Sequence, residues 1–243
     1  MRKKILTSLL LIIALSQVGV SQSINRHGSS EMRIQVYGGL FSYGGEGSSS
    51  TTNLVSGNAG FGTYFLPEVM YGRESRPSYG IGLSGQKIEK SGFIYGLALG
   101  LEFTGSGISI DTFIENNVRS VRSASAGNSR ILSRQILFKP FAGKRFKAGS
   151  STVDLTIGPA VAFIFSQVEH IKISSPKEID YKSTVSNSEN FDASAEAKAA
   201  FNIKKVSFAA AYRRGFSNLA KGANTGGKVY SKWITAGIAY RFR

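Results

Sequence analysis

The sequence predicts an all-β chain that folds as an antiparallel up-and-down transmembrane β-barrel, with ten strands preferred and eight as the alternative. Two observations lead to this prediction. From residue 31 onward, segments of ten or so residues alternate apolar with small or polar side chains, a period of two that is typical of strands. Most segments also reach the length of about 9–11 residues with which a tilted strand crosses the hydrocarbon of a membrane.

The chain begins with a segment that is typical of a secretory signal peptide. Basic residues at 2–4 precede an apolar run over 5–15, and small and polar residues follow. The apolar run is too short to cross a bilayer as a helix. The predicted divisions are a signal peptide over 1–22, a short N-terminal extension over 23–30 and an outer-membrane β-barrel domain over 31–243.

Turns and changes of alternation divide this domain into ten predicted strands. In the stretch 92–105, one face carries only apolar and aromatic side chains, whereas the other carries mainly glycine and alanine with Glu102. Merging the irregular pair of segments around 105–122 gives the alternative of eight. The ten segments are 32–43, 58–73, 79–88, 92–105, 108–114, 131–146, 153–165, 191–203, 206–215 and 230–242.

The connections between these strands fall into two lengths. Short turns at one end and long loops at the other are typical of membrane barrels. Three prolines count against the prediction, because each lies within a predicted strand, where its missing N–H breaks a ladder bond: Pro67, Pro140 and Pro159. The tight connections are 74–78, 105–107, 147–150 and 204–205, the long ones are 44–57, 123–130, 167–190 and 219–229, and 89–92 is the exception.

The face that lacks bulky apolar residues indicates which side of the barrel meets lipid. A soluble barrel needs a water-facing exterior rich in Lys, Glu, Asp and Thr. Here that face is largely glycine and alanine, which suit a narrow lumen. Aromatic residues such as Phe93 and Tyr212 lie toward strand ends, where interfacial girdles form. We therefore expect the bulky side chains to face hydrocarbon and the small ones to face the lumen.

The end of the chain, 235–242, resembles the terminal assembly signal of bacterial outer-membrane barrels in Gly237, Tyr240 and Phe242, with Arg243 added after the aromatic residue. The stretches "ILFKPFAGKRF", "TIGPAVAFIF" and "YRRGFSNL" are also similar to small outer-membrane barrels of the OmpA-, OmpX- and OmpW-like families. The resemblance implies an exported protein of the bacterial outer membrane that is inserted by the outer-membrane assembly machinery. These families include anchors, adhesins, small-solute pores, secretion accessories and a few enzymes, so the resemblance selects no single function.

Charged residues on the inferred lumen face are sparse and of both signs. A buried unpartnered charge is costly, so this near balance favours ion pairs across a narrow interior over an aqueous path. We expect little or no conductance, and a narrow pore or transport accessory for small solutes is the alternative. The predicted lumen charge network comprises Glu68, Glu102, Asp111, Lys139, Asp154, Glu196, Lys198, Arg213 and Arg241.

Composition excludes several classes of site and partner. The chain has no cysteine and two histidines, so it can form no disulfide and no thiol-ligated or histidine-rich metal centre, and we predict no cofactor. Without the three basic residues of the signal, 27 Lys and Arg stand against 15 acids, a net charge of +12. Because the basic residues are scattered, they indicate the lipid bilayer and its anionic headgroups as partners, and no nucleic acid.

A second alternative is an outer-membrane hydrolase with a rim active site at His170. Ser166 and Ser174 share a strand face with this histidine by their spacing. A lone histidine in a polar loop is usually just exposed, so no catalytic residue is predicted. The preferred function is structural or interactive, with the long polar loop 167–190 presenting a surface to an extracellular ligand.

Overall fold

The computed structural model describes the barrel domain as strands joined by turns and irregular connections. The described residues are 28–59, 62–115, 122–175, 178–185, 190–220 and 227–242, so the predicted signal peptide lies outside them. No helix in these ranges is long and apolar enough to cross a membrane. Their strands are β1 (Ser29–Gly44), β2 (Thr51–Ala59), β3 (Gly62–Pro67), β4 (Glu74–Ile88), β5 (Phe93–Glu115), β6 (Arg122–Ala148), β7 (Ser151–Ser175), β8 (Ile179–Thr184), β9 (Phe191–Ile203), β10 (Val206–Gly215) and β11 (Tyr230–Arg241).

Eight of these strands close into a ring. β1 pairs with both β4 and β11, and the ring continues through β5, β6, β7, β9 and β10. Every pair in the ring is antiparallel, so no strand of the ring has an open edge. The predicted fold class, an antiparallel up-and-down barrel, is confirmed, and the strand number is the alternative of eight rather than the preferred ten.

The two surplus predicted strands have identifiable origins. The segment 58–73 lies in the connection from β1 to β4, where β2 and β3 form a hairpin outside the ring. The segment 108–114 is the continuation of β5, which runs through the predicted turn 105–107 without ending. Glycine and serine made 105–107 resemble a turn, but β6 pairs with each of these residues and holds them extended.

All the tight turns lie at one end of the ring. They are 89–92, 149–150 and 204–205, and the first residues of β1 and the last of β11 lie beside them. The predicted turn 74–78 is instead the start of β4. Without that false turn, 89–92 is no longer an exception to the alternation of short turns and long loops. We call this the short-turn end and the opposite one the outer end, because short turns face the periplasm in outer-membrane barrels.

The two faces of the ring are inverted relative to a soluble barrel. Large apolar side chains cover its outside, with Val36 55%, Leu83 49% and Ile157 65% exposed. Polar and charged side chains fill its inside, with Glu102 1% and Arg213 4% exposed. Burying apolar surface stabilises a chain in water by about 25 cal/mol per Å², so this exterior requires a hydrocarbon solvent. The predicted orientation is confirmed.

The outward face of β6 gives the height of this apolar surface. Its outward side chains between Lys144 and Arg134 are apolar, and both of those cations are exposed. With a rise of about 3.3 Å per residue and a tilt of about 40°, the two cations are separated by about 25 Å of barrel height. This matches the apolar band of outer-membrane barrels, which is about 25 Å tall.

Glycines of the inward face make room for one aromatic side chain. A Cβ on Gly80 would lie 2.7 Å from ring atoms of Tyr37, and one on Gly237 would lie 2.6 Å from the Cβ of Tyr37. A Cβ on Gly100 would also meet the Tyr37 hydroxyl at 2.8 Å. These glycines therefore let a tyrosine occupy the middle of a narrow lumen.

The three prolines are accommodated without isolated breaks in the ring. Pro140 and Pro159 lie opposite each other where the ladder between β6 and β7 is interrupted, between the pairs Phe138–Val161 and Ala142–Ile157. Each of the two prolines remains in register with the strand on its other side. Pro67 ends β3, outside the ring. One shared gap therefore replaces two separate ladder defects.

Beyond the ring, the long strands build a second sheet at the outer end. β5, β6 and β7 have 23, 27 and 25 residues, far more than a membrane crossing needs. Their outer parts stay paired with one another, β2 adds in parallel to β5, and β8 adds to β7. We call this six-stranded unit, in the order β3-β2-β5-β6-β7-β8, the outer sheet.

The outer sheet has an apolar core of its own. Phe65 on β3 lies 5.3 Å from Tyr181 on β8 between ring centroids, so the sheet curls until its two edge strands meet. The side chains enclosed by this curl are Leu54, Ile110, Phe113, Ile171, Ile173 and Ile179. Because this core is separate from the barrel lumen, the outer sheet is held by packing as well as by backbone pairing.

Candidate functional site

The lumen is filled by layers of paired charges, beginning at the short-turn end. Glu31 accepts hydrogen bonds from Arg33 at 2.5 Å, from Arg145 at 2.8 Å and from Arg241 at 2.5 Å. Asp154 accepts from Arg145 at 2.6 Å and from Arg33 at 3.3 Å. Two carboxylates therefore hold three guanidinium groups across this end of the barrel.

The next layers carry the pairs at mid-height. Lys139 donates to Glu196, and Lys198 donates to Gln35 Oε1 at 3.1 Å. Two cavities of about 30 and 20 Å³ share these three charged residues as lining. Each has room for roughly one water molecule. These two gaps between the layers are therefore small.

The central layer surrounds Glu102. Arg213 donates a two-pronged hydrogen bond to its carboxylate, at 2.9 Å to Oε1 and 2.6 Å to Oε2. The Tyr37 hydroxyl donates to Oε1 at 3.0 Å and the Gln135 amide to Oε2 at 2.7 Å. The guanidinium of Arg213 also lies 4.6 Å from the ring centroid of Trp233. Every acceptor position of this buried carboxylate is thus used.

Aromatic side chains close the lumen toward the outer end. Phe41, Tyr43 and Trp233 pack edge to face, and Tyr71 from the β1–β4 connection lies over Tyr43 at 5.0 Å between centroids. The Tyr71 hydroxyl donates to the carbonyl of Leu219 at 2.9 Å, and burial raises the pKa of this phenol. Segments from two long connections therefore meet above the barrel.

The structure brings seven of the nine predicted network residues into the lumen, and two lie elsewhere. Glu68 is exposed in the β1–β4 connection and accepts from Asn53 at 2.7 Å. Asp111 is exposed on the outer part of β5. The prediction placed both residues in the lumen because it took 58–73 and 108–114 as strands that cross the membrane. Neither segment is a separate strand of the ring, so neither side chain reaches the lumen. The seven in the lumen are Glu102, Lys139, Asp154, Glu196, Lys198, Arg213 and Arg241.

Four charged lumen residues were missed by the sequence reasoning: three at the short-turn end, and Asp192, which is 3% exposed on β9 and accepts hydrogen bonds from Ser231 and Ser217. Arg33 lies on the face of β1 opposite Ile34 and Val36, and Arg145 has the parity of Lys139 on β6, so alternation alone identifies both. Glu31 is the first residue of the predicted domain and lies before the first predicted strand, so alternation could not assign it to a face. The network at the short-turn end depends on all three.

The residues of the predicted assembly signal lie together on the last strand. Gly237 is opposite Tyr37 in the ladder, and Tyr240 and Phe242 are 47% and 50% exposed on the lipid side near the short-turn end. The backbone N–H of Phe242 donates to the carbonyl of Met32 at 3.1 Å and so closes the seam with β1. Recognition of this segment by the assembly machinery stays a prediction.

The predicted loop 167–190 is mostly strand. Its first part belongs to β7 and a later part is β8, so His170 stands on the outer sheet. Residues four apart in a strand are about 13 Å apart, which leaves Ser166 and Ser174 too far from the His170 imidazole to share a proton with it. The nearest partner is Asp180, whose Oδ1 lies 2.6 Å from Nε2.

Two carboxyl groups of the outer sheet differ in environment. The hydrogen bond from His170 lowers the pKa of Asp180, and Lys172, at 3.4 Å, acts in the same direction. Glu169 points to the opposite side, where it is 2% exposed and accepts from the Ser129 hydroxyl at 2.7 Å. Burial raises the pKa of Glu169. Among the described residues, no group of three or more His, Asp or Glu is arranged to hold a metal ion.

Comparison with known proteins gives similar solved structures but no matching family. No family model matches the chain, and no curated protein matches it. Similar solved structures include Ail, the attachment invasion locus protein of Yersinia pestis, in complex with the heparin analogue sucrose octasulfate (15% identity, 89% of this chain and 100% of that one, TM-score 0.36). Neisserial surface protein A (NspA; 9% identity, 88% and 99%, TM-score 0.35) and the outer membrane protease OmpT of Escherichia coli (11% identity, 91% and 100%, TM-score 0.40) are also similar.

The fold is an eight-stranded antiparallel β-barrel with an apolar outer face. The similar structures include a protease as well as proteins whose names state no catalysis, and their identities are too low to transfer a function.

Proposed function

We propose that this protein is a sealed outer-membrane barrel that presents a rigid β-sheet surface outside the membrane for binding, without catalytic turnover. The observation that carries the proposal is the outer sheet, which has six strands and an apolar core separate from the lumen. A barrel needs only short crossings to be stable in a bilayer, so the extra length of β5, β6 and β7 serves the part outside it.

The contents of the lumen support the absence of conduction. Charge pairs occupy successive heights from Glu31 to Glu102, and aromatic side chains lie above them. Opening a path for hydrated ions requires separating buried pairs, and removing one partner of such a pair costs about 3–5 kcal/mol. The narrow pore and the rim hydrolase at His170 remain as alternatives that experiments distinguish.

Conductance separates the sealed barrel from the pore. The full-length barrel is inserted into a planar bilayer beside a large water-filled porin as positive control. We expect no stable single-channel current, and a reproducible ohmic current would overturn the sealed lumen. For the hydrolase alternative, His170→Ala is assayed for hydrolysis of lipid and peptide substrates, where the proposal expects the same background as the unchanged protein.

The binding role is tested by removing the outer sheet while keeping the ring. The trimmed variant lacks 51–67, 108–129 and 168–189 and rejoins the strands by short turns, since Gly107 and Arg130 face each other in the ladder. Heat-modifiable migration on a gel checks that the trimmed barrel is closed. Proteoliposomes with either protein are then compared for retention on host-cell layers and glycan arrays. The proposal expects retention only with the outer sheet, and equal retention of both would refute it.

A further inference from the structure

A row of basic residues crosses the outward face of the outer sheet. Arg130 on β6 is opposite His170 on β7, and His170 is opposite Lys182 on β8. Side chains opposite each other in neighbouring strands have Cβ atoms about 4.5–5.5 Å apart. Three basic residues therefore stand side by side, and we call them the basic row. Lys172 lies in the next row outward, opposite Asp180.

The charges of the basic row are only partly balanced by described acids. Asp180 accepts from His170 at 2.6 Å and lies 3.4 Å from Lys172. Neither Arg130 nor Lys182 forms an ion pair with any side chain that the structure describes. The other acids nearby, Asp111 and Glu178, line the cleft beyond Lys172, further from the barrel.

Like charges that face one another across strands destabilise a sheet. A bound anion would therefore stabilise the row, and the side-by-side arrangement of its side chains fits a phosphate group. A guanidinium binds phosphate through two parallel hydrogen bonds, and a lysine adds a point charge. His170 is fixed in place by Asp180 between the two unpaired cations.

The direction of the row decides where such an anion comes from. Exposed and buried side chains alternate along β6, so Arg130 lies on the same side as Arg134 and the lipid-facing Phe138. Arg134 stands near the outer edge of the apolar band, with one exposed residue of the same face, Leu132, beyond it. Arg130 is four residues further out than Arg134, about 10 Å along a strand tilted by about 40°. The row thus faces sideways, into the headgroup layer of the surrounding lipids.

We propose that the basic row of Arg130, His170 and Lys182 binds the phosphate groups of the phosphorylated glycolipid in the outer leaflet. This inference goes beyond the proposed binding function, because its ligand is the surrounding membrane. Bound phosphates neutralise the unpaired cations and hold the outer sheet upright beside the lipid surface.

The test uses the full-length barrel in detergent micelles and lipid A as the probe, with two phosphates, with one and with none. The variant R130Q/K182Q removes two charges from the row, and K90Q/K147Q removes two exposed charges at the short-turn end as a matched control. A third variant, R130K/K182R, keeps the charge. Heat-modifiable migration verifies folding, and binding is measured by thermophoresis.

We expect R130Q/K182Q to bind diphosphorylated lipid A about 10- to 30-fold more weakly, at roughly 1 kcal/mol per basic residue near a lipid surface. K90Q/K147Q and R130K/K182R should stay within about twofold of the unchanged protein. Loss of binding as phosphates are removed supports the site. Equal weakening by both neutral variants, or affinity independent of lipid phosphate, overturns it. Binding of dextran sulfate with the same dependence on the row, without lipid A binding, overturns the lipid assignment and identifies a soluble polyanion.

Discussion

Substituting Glu102→Gln tests the sealed lumen at its central ion pair. The substitution keeps the size of the side chain and removes the charge opposite Arg213, whose side chain is 4% exposed. The glutamine oxygen still accepts one hydrogen bond from the guanidinium. Its amide nitrogen replaces Oε1 or Oε2 and faces a donor of Arg213, Tyr37 or Gln135, because all three donate to Glu102.

The size of the effect follows from this geometry. Removing one partner of a buried ion pair costs about 3–5 kcal/mol, because the remaining charge is left uncompensated. Glutamine retains one of the hydrogen bonds from Arg213, which places the expected loss at the lower end. We therefore expect the free energy of unfolding to fall by about 3 kcal/mol, which is about 150-fold in the folding equilibrium.

Trp233 supplies the measurement, because it is the only tryptophan of the chain and packs 4.6 Å from the Arg213 guanidinium. Reversible urea unfolding in lipid vesicles, followed by its fluorescence, reports directly on this layer. Glu68→Gln is the matched control: Glu68 is exposed outside the ring, so its loss should change stability by less than about 0.5 kcal/mol.

A double variant removes both charges of the central pair. In E102Q/R213M the uncompensated guanidinium is gone, so the loss of stability should be smaller than the sum of the two single losses by about 2 kcal/mol. A loss below about 1 kcal/mol for Glu102→Gln, or additive single losses, would mean that water screens this pair. The sealed lumen would then be refuted even if the barrel remained closed.

Three further predictions concern the lipid face and the outer sheet. Val161 is 42% exposed on the lipid face near the middle of the apolar band, so Val161→Arg should lower the free energy of unfolding in bilayers by about 2–4 kcal/mol. The control Thr184→Arg on β8 should lower it by less than about 0.5 kcal/mol. Equal losses of the two variants in urea unfolding would contradict the orientation. Burial raises the pKa of Glu169, so its stabilising contribution is present below its ordinary pKa and is lost as pH rises through the raised value. Limited proteolysis of β7–β8 should therefore slow on acidification through that range, and Glu169→Gln should remove this dependence. The hydrogen bond from His170 lowers the pKa of Asp180, so the stability that Asp180 contributes is lost only as pH falls through that lowered pKa. Asp180→Asn should remove this loss of stability at acidic pH, and a variant that kept it would contradict the pairing with His170.

The sequence predicts the orientation of the barrel because orientation depends only on the parity of residues within each strand. In 92–105 the residues facing lipid and those facing the lumen separate by odd and even position, and the structure buries Ile94, Ala98 and Glu102 as that parity requires. Strand ends are harder to predict, since the glycines and serines of 105–107 are compatible with a turn and with a paired strand. Only pairing with β6, which lies elsewhere in the sequence, decides between the two.

The partners within the lumen are set by features that alternation does not contain. Glu102 and Arg213 are 111 positions apart, and they meet because register and strand order bring β5 and β10 to the same height across the ring. A ring of ten strands, as the sequence analysis preferred, would place different strands opposite each other than the observed ring of eight does. The sequence therefore identifies most of the inward charges but cannot assign their pairs.

Ring closure also explains the distribution of the basic excess, which is scattered along the sequence. Two lysines lie within or up to five residues from each of the three tight turns, although the turns lie far apart in the chain: Lys87 and Lys90, Lys144 and Lys147, and Lys204 and Lys205. The ammonium nitrogens of Lys87 and Lys144 lie over the rings of Tyr95 and Phe146, at 6.0 and 5.9 Å from the ring centroids, so these cations lie against girdle aromatics. An up-and-down barrel brings its alternate turns to one rim, so basic residues that are separated in sequence lie together at that rim.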